Sequence, residues 1–152
     1  MKAYIESSIF NRYFEEGAEF SKETALLFKR IASGKIDAYT SVAVLEELEG
    51  APRVKRARMM ALIPRHGIKV LRVHETAYRL ADAYIEADIM PARSRPAGLH
   101  IALAAVYGMN CVVSLDFHNI NKWKTKSETE TVNRKNGFGH VFICTPGEVI
   151  YE

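Results

Sequence analysis

Three acidic residues, Glu6, Glu47 and Asp116, lie where a folded chain can bring carboxylates together. Glu6 directly follows the apolar segment Ala3–Ile5, and Asp116 follows the apolar segment Cys111–Ser114 by two residues. Glu47 lies at the edge of an apolar helical face. Carboxylates held close together repel each other unless a cation lies between them, and their hard oxygen atoms suit Mg²⁺ or Mn²⁺. Such an ion activates water and stabilises the charge that develops on a phosphodiester.

The alternative is that these three residues are ordinary surface acids. The chain contains 18 acidic residues, and some of them must fall near strand ends whatever the protein does. Spacing alone favours this plain interpretation.

The chain alternates predicted strands with predicted helices, without repeats or linkers. The strands are expected at Ala3–Ile5, Ile36–Tyr39, Ile68–Val73, Cys111–Ser114 and Val141–Cys144. Five short strands separated by helices predict an α/β fold, a three-layer α/β/α sandwich around a central parallel five-stranded sheet. We expect a single domain over residues 1–152. Sites in such sheets form beyond the carboxyl ends of the strands, where Glu6 and Asp116 are expected.

The helices are predicted from apolar spacing and from capping residues. The clearest runs from Glu75 to Ala87, with apolar residues at the i, i+3, i+4, i+7 spacing of a buried stripe. Ser7 and Ser8 offer N-cap hydroxyls for a helix through residues 9–14. Further helices are expected after Ser21 and Ser41, over Arg53–Ile63, after Pro96 and after Thr145. Residues 121–136 are polar and are predicted to form a loop or irregular structure.

Composition indicates an ordinary globular protein. Hydrophobic residues make up 48% of the chain and charged residues 26%, and no apolar run reaches the ~20 residues that span a bilayer. The two cysteines lie in apolar stretches without zinc-type spacing. We therefore expect a cytoplasmic protein that does not insert into membranes. No glycine-rich phosphate-binding loop is present, which disfavours nucleotide-cofactor enzymes.

Basic residues fall into two local groups, although the net charge is only +3. Beside an acidic metal site, both groups are candidates for contacts with the phosphates of a nucleic acid. A solvated surface is the alternative for each group. The candidates are Arg53, Lys55 and Arg56 in one group and Lys122 and Lys124 in the other.

Four segments of the chain resemble PIN domains, in the order in which that family has them. The opening KAYIESSIFNRYFE resembles a strand that ends in an acid followed by a Ser-Ser-Ile-Phe pattern, and TSVAVLEELEGAP resembles the second block, with its glutamate at Glu47. YIEADIMPARSRPAGLHIALAAVYGMNCVVSLDFHNINK resembles the third and fourth blocks, and VNRKNGFGHVFICTPGEVI the C-terminal stretch. The resemblance implies a VapC-like ribonuclease that uses Mg²⁺ or Mn²⁺, is often a homodimer and is often paired with a small antitoxin protein.

Two departures from the family pattern bear on activity. The first acid is glutamate (Glu6) instead of aspartate, and Ala97 stands where the family has an aspartate three residues before the histidine at position 100. The remaining ligands are then Glu6, Glu47 and Asp116, which suffice for one ion with water completing its shell. Asn119 also stands where the family often has histidine.

Three further residues are candidate helpers at this site. Ser8 is a candidate to hydrogen-bond a ligating carboxylate, and Asn119 and Asn121 are candidates to offer an amide oxygen. Capping is the alternative role for Ser8, and turn formation for the asparagines. His100 is interpreted as a partly buried, hydrogen-bonded histidine rather than a catalytic base.

Two hypotheses about function follow. The first is a metal-dependent endoribonuclease that acts on RNA, with Glu6, Glu47 and Asp116 as metal ligands and catalytic residues. The second is a catalytically degenerate PIN-fold module that binds RNA or a protein partner, which Ala97 favours.

Overall fold

Five parallel strands form the central sheet. The computed structural model describes residues 1–151 of the chain, and its strand order is β3-β2-β1-β4-β5 with every neighbouring pair parallel. The prediction of a parallel five-stranded sheet is thus confirmed. The strands are β1 (Lys2–Ile5), β2 (Asp37–Ser41), β3 (Lys69–Leu71), β4 (Cys111–Val113) and β5 (Phe142–Cys144).

Eight helices within residues 1–151 connect and cover the strands, which gives the predicted α/β/α arrangement. A short 3-10 turn at Ala92–Ser94 precedes the sixth of them. The α5 and α6 helices pack against each other, as do α2 and α8. The helices are α1 (Ser7–Arg12), α2 (Ser21–Ala32), α3 (Val42–Leu48), α4 (Arg53–Arg65), α5 (Glu75–Glu86), α6 (Arg95–Val106), α7 (Trp123–Lys135) and α8 (Pro146–Ile150).

The prediction of a loop over residues 121–136 is wrong, because this segment forms α7. Its buried residues are Thr125, Thr129 and Asn133, which recur every four positions on one face of the helix. The Thr129 hydroxyl donates to the Thr125 carbonyl at 2.6 Å. Asn133 accepts a hydrogen bond from the buried Tyr84 hydroxyl. The buried stripe is therefore polar and hydrogen-bonded, so apolar spacing does not reveal it.

Several predicted boundaries also shift. β2 extends to Ser41, because Ser41 is in register with Leu71 of β3. β3 itself is shorter than the predicted Ile68–Val73. α4 continues past the predicted end at Ile63 and carries Pro64 in its last turn.

β1 is the central strand and directs the chain into the candidate site. Its residues Ala3, Tyr4 and Ile5 are fully buried, as expected for a parallel strand covered on both faces. The Glu6 amide continues the β1–β4 ladder by donating to the Val113 carbonyl at 3.2 Å. The chain order reverses between β1 and β4, and a crevice at such a switch point is where α/β sheets bind ligands.

The C-terminal helix α8 begins after Thr145, as predicted, and Thr145 caps it. The Thr145 hydroxyl accepts from the Glu148 amide, and the Glu148 carboxylate accepts from the Thr145 amide, which together form a capping box. Among the helices of residues 1–151, none has the length and apolar character that crossing a bilayer requires.

Candidate active site

The three predicted acids converge on one small cleft at the carboxyl edge of the sheet. Glu6, Glu47 and Asp116 all line this cleft, whose volume is about 160 Å³. His100 of α6 lines it as well. Ligand atoms of Glu6, Glu47 and His100 all lie within 4.8 Å of one another. We call this cleft the acidic cleft.

Glu6 is a buried carboxylate held by two serine hydroxyls. Its side chain is only 6% exposed. Ser8 donates to its Oε1 atom at 2.5 Å, and Ser114 donates to the same oxygen at 2.7 Å. The two hydroxyls in turn accept from backbone amides, Ser8 from Leu115 at 2.8 Å and Ser114 from Asp116 at 3.0 Å. Glu6 is therefore fixed at the β1–β4 crevice, and its Oε2 atom accepts no hydrogen bond from residues 1–151.

The prediction that Ser7 and Ser8 cap the first helix is wrong. α1 begins at Ser7, and its N-cap, Glu6, makes no side-chain capping bond. Ser7 instead donates to Glu47 Oε1, and Ser8 donates to Glu6. Both serines lie inside the first turn of α1, past the N-cap position, so their hydroxyls are available to orient the acids.

Glu47 is held from two sides. The Nε2 atom of His100 lies 2.7 Å from Glu47 Oε1, and Ser7 donates to the same oxygen. A carboxylate only accepts, so the proton of this hydrogen bond lies on Nε2. Burial acts to raise the pKa of Glu47, but the hydrogen bond and charge of His100, together with Ser7, outweigh it and leave the pKa below its ordinary value. Glu47 is therefore kept ionised at neutral pH.

A chain of buried hydrogen bonds runs behind His100. The Tyr4 hydroxyl lies 2.7 Å from His100 Nδ1 and 2.7 Å from the Ser41 hydroxyl. His100 is 1% exposed, and Tyr4 and Ser41 are fully buried. In the form of the ring that carries its proton on Nε2 alone, Nδ1 accepts from Tyr4, and Tyr4 in turn accepts from Ser41. Burial raises the pKa of the Tyr4 hydroxyl well above its ordinary value, so Tyr4 stays protonated and orients the imidazole.

Sequence reasoning placed His100 correctly as a hydrogen-bonded histidine but missed its place beside the acids. It is also completely buried instead of partly buried. Its partners Tyr4 and Glu47 are 96 and 53 residues away in the chain, so local spacing carries no signal for them. Ser7 and Ser114 were missed for the same reason, although each lies within two residues of a predicted acid.

Asp116 begins a tight turn and lines the acidic cleft outside the group formed by Glu6, Glu47 and His100. Its Oδ1 atom accepts from the backbone amides of His118 and Asn119 at 3.1 and 3.0 Å. The Asn119 amide group donates to Oδ2 at 3.3 Å, and its oxygen accepts from Ser94 at 3.0 Å. Asn119 thus lines the cleft with its amide oxygen already engaged.

Asn121 does not line the acidic cleft. It is buried, and its amide donates to the Ser114 carbonyl at 3.0 Å. Asn121 is therefore not placed to offer its amide oxygen to a metal in this cleft, which is the role predicted for it. Its place beside Ser114 suits a structural role, because it secures the end of β4 from which Asp116 follows.

Ala97 lines the acidic cleft near the start of α6, without a side chain that can ligate. The cleft therefore carries one fewer acid than the family pattern implies. Arg93 also lines the cleft and was not among the predicted basic contacts. An arginine this close to clustered carboxylates is a suitable contact for a phosphate group.

The two predicted basic groups lie at the starts of two different helices, α4 and α7. Arg53, Lys55 and Arg56 belong to the first turn of α4, and Arg56 reaches the Glu49 carbonyl at the end of α3. Lys122 is the N-cap of α7, and Lys124 in its first turn donates to the Asp88 carbonyl at 2.8 Å. None of these five side chains lines the acidic cleft. Their role as phosphate contacts stays a prediction.

The donor set of the acidic cleft fits a divalent cation. The carboxylates of Glu6 and Glu47 lie within 4.8 Å of each other, and a cation offsets the repulsion between them. Carboxylate oxygens suit Mg²⁺ and Mn²⁺ alike. Glu6 and Glu47 would hold the ion directly, Asp116 would contribute from the rim of this group, and His100 would hold Glu47 in place.

Comparison with known proteins gives a match at the level of structure. No family model matches the sequence, and no curated protein matches it either. The fold is similar to the crystal structure of VapC20 from Mycobacterium tuberculosis, described as a toxin that cleaves the sarcin–ricin loop. The TM-score is 0.53 at 15% sequence identity, over 92% of this chain and 98% of VapC20.

The parallel sheet, its strand order and this match define the fold. The chain has the PIN fold, in an arrangement similar to that of VapC20. The resemblance inferred from the four sequence segments is thereby confirmed at the level of the fold.

Proposed function

We propose that this protein is a divalent-metal-dependent endoribonuclease. The observation that carries the proposal is the convergence of Glu6, Glu47 and Asp116 on one cleft from three separate elements. Carboxylates held this close repel each other, and a cation bound between them offsets that repulsion. The PIN fold and the likeness to a ribonuclease toxin support RNA as the substrate.

Each residue of the acidic cleft has a distinct proposed role. Glu6 and Glu47 bind the ion, Asp116 completes the site, and Ser8 and Ser114 hold Glu6 through its Oε1 atom. A bound Mg²⁺ or Mn²⁺ supplies the positive charge that activates water and stabilises the developing charge on the phosphodiester. With alanine at position 97, one ion with water in its free positions is the expected complement.

The biological role proposed is that of the toxin in a type II toxin–antitoxin pair. VapC20, to which the fold is similar, is itself described as a toxin. The partner would be a small antitoxin protein, the active form a homodimer, and the site of action the cytoplasm. Induced expression should then arrest growth, and Asp116→Asn should relieve the arrest while leaving the level of folded protein unchanged.

Metal binding is tested by calorimetric titration with Mn²⁺. We expect the parent to bind one equivalent and Glu47→Gln to lose binding, because the neutral amide no longer offsets the charge of the ion. Glu49→Gln is the matched control, since Glu49 is exposed at the end of the same helix. Equal heats for the parent and Glu47→Gln would remove the metal site from the proposal.

Cleavage is tested on single-stranded and hairpin RNA with Mn²⁺, with EDTA, and with Asp116→Asn. The proposal expects cleavage only by the parent in the presence of metal. Cleavage that persists in EDTA would contradict a metal-dependent nuclease.

A second candidate function is a PIN-fold module that binds RNA or a protein without cleaving. Ala97 favours it, because the cleft has no acid where the family pattern implies one. Ala97→Asp discriminates between the two, since the added carboxylate enters the same cleft. A parent that binds RNA without cleaving it, with cleavage appearing in Ala97→Asp, would favour the module.

A further inference from the structure

A second, larger cleft adjoins the acidic cleft and shares Glu47 and His100 with it. Its volume is about 360 Å³, and its other walls include Glu46, Tyr78, Arg95 and Leu99. We call it the side cleft. A volume of this size accepts a planar ring system, and the shared wall places any such ring beside the proposed metal ion.

Arg95 presents a fixed flat surface in the side cleft. Its Nε and terminal nitrogens donate to the two carboxylate oxygens of Asp82 at 2.7 and 3.2 Å, which fixes the guanidinium plane. The guanidinium carbon lies 4.8 Å from the centroid of the Tyr78 ring. The Arg95 side chain is nevertheless 43% exposed. Preorganised guanidinium and aromatic planes of this kind are the surfaces on which unpaired nucleobases stack.

Glu46 adds a chemical preference to this flat surface. It is exposed on α3, lines the side cleft, and makes no hydrogen bond or ion pair with any residue from 1 to 151. With the Arg95 charge already paired to Asp82, the Glu46 carboxylate makes the side cleft unsuitable for a phosphate. A carboxylate only accepts hydrogen bonds, and its two oxygens match two donors that lie side by side.

Among the four RNA bases, guanine offers two adjacent donor groups on its Watson–Crick edge, the N1–H and the N2 amino group. Adenine and cytosine each present an amino group next to a ring acceptor, which a carboxylate repels. Uracil presents one N–H between two carbonyl oxygens. The charge and geometry of Glu46 therefore favour guanine over the other three bases.

We propose that the side cleft binds the guanine base of a nucleotide next to the cleaved phosphodiester. The base stacks on Arg95 beside Tyr78, and Glu46 accepts from its N1–H and N2 amino groups. This inference rests on the proposed function, because it places the phosphate of the same nucleotide in the acidic cleft. Arg95 and Glu46 would then determine specificity without contacting the metal.

Binding is tested first without cleavage. Hexamers of uridine with one central guanosine, adenosine, cytidine or inosine are titrated in EDTA by fluorescence anisotropy. We expect the guanosine hexamer to bind at least tenfold more tightly than the adenosine and cytidine hexamers, and inosine, which lacks the N2 amino group, to fall between. Equal affinities for all four hexamers would overturn the proposal.

Two substitutions connect the preference to the side cleft. Glu46→Gln should remove most of the guanosine preference. Arg95→Lys should weaken the binding of all four hexamers, because lysine keeps the positive charge but has no planar group on which a base can stack. Glu49→Gln, an exposed glutamate on the same helix end, is the control and should behave as the parent. Both test residues are on the surface, and urea unfolding verifies that the variants fold. An unchanged guanosine preference in Glu46→Gln would overturn the proposal.

Cleavage of the same hexamers in Mn²⁺ separates this inference from the proposed function. Guanosine-selective binding in EDTA without any cleavage in Mn²⁺ would refute the nuclease and leave the side cleft as a base-binding site. Cleavage at equal rates next to all bases would refute the side cleft and leave the nuclease. If Glu46→Gln and Arg95→Lys impair binding of a small partner protein but not of RNA, the side cleft is a protein-docking site and the proposal is wrong.

Discussion

Replacing Tyr4 by phenylalanine removes one oxygen atom from the buried chain behind the acidic cleft. The Tyr4 hydroxyl is within 2.7 Å of both the Ser41 hydroxyl and His100 Nδ1. The substitution keeps the ring, its burial and its tilted contact with the imidazole, whose centroid lies 5.7 Å away. Ser41 retains only a long hydrogen bond from the Val44 amide, at 3.4 Å. Two buried polar groups thus lose a partner together.

The magnitude follows from this count of partners. A net hydrogen bond contributes about 1 kcal/mol to the free energy of unfolding, and a buried group left without its partner costs roughly 1–3 kcal/mol. The lost hydroxyl also no longer has to be desolvated, which offsets part of the loss. We therefore expect Tyr4→Phe to lower the free energy of unfolding by about 2 kcal/mol. For a chain of this length that corresponds to a fall in Tm of roughly 4–8 °C.

Urea unfolding of the metal-free protein measures this loss. The midpoint should fall without a change in the slope m, because the surface exposed on unfolding is the same. Tyr107→Phe is the matched control, since its hydroxyl donates a single 2.7 Å bond to the Arg72 carbonyl near the surface, and it should cost under about 1 kcal/mol. If Tyr4→Phe costs no more than Tyr107→Phe, the buried chain does not stabilise the fold and the reasoning is refuted.

Three further predictions concern other parts of the molecule. The pKa of Glu47 is lowered in the folded state, so its contribution to stability is present above its ordinary pKa of 4.5 and is lost as the pH falls. Acid unfolding in EDTA should therefore show a shallower dependence of stability on pH for Glu47→Gln than for the parent. Equal slopes for the two proteins would contradict this. Thr145→Ala removes the hydroxyl that accepts from the Glu148 amide and should cost about 1 kcal/mol in urea unfolding, whereas Thr145→Ser should restore most of it. Gly137 has φ +83° with open space around its Cα. Gly137→Ala should therefore lower the free energy of unfolding by about 1 kcal/mol through backbone strain alone. Gly139→Ala, also in open space, is the control and should be near neutral in the same assay.

The sheet was predictable because its strands are short apolar runs between helix signals. β1 and β4 are fully buried except for Lys2, so their sequences are nearly continuous in apolar residues. α7 was not predictable by the same reasoning, because Thr125, Thr129 and Asn133 are buried through hydrogen bonds. A segment whose buried face is polar carries no hydrophobic period, and its hydrogen bonds with Tyr84, with the Asn119 carbonyl and within the helix make that face favourable to bury.

The positions of the acids were predictable, and the groups that hold them were predictable only in part. Glu6 and Asp116 follow strands that are neighbours in a parallel sheet, and their common edge follows from that topology. The Ser8 hydroxyl was a candidate partner of a ligating carboxylate and donates to Glu6, two residues away. Ser7 was assigned only to a helix cap, since an N-cap is a local feature and its partner Glu47 is 40 residues away. Contacts between segments that are distant in the chain determine which partner such a hydroxyl binds, and local sequence spacing does not reveal those contacts.

His100 does not supply the metal ligand that is missing at position 97. The two residues are three apart on α6, so they lie on one side of the helix, and both line the acidic cleft. An imidazole replaces a lost ligand only when one ring nitrogen is available, yet Nδ1 is engaged by Tyr4 and Nε2 by Glu47. To bind a cation, Nε2 would have to release Glu47, which leaves that carboxylate held by Ser7 alone. His100 therefore strengthens one existing ligand instead of adding another, and the position left by Ala97 is available to water or to the substrate.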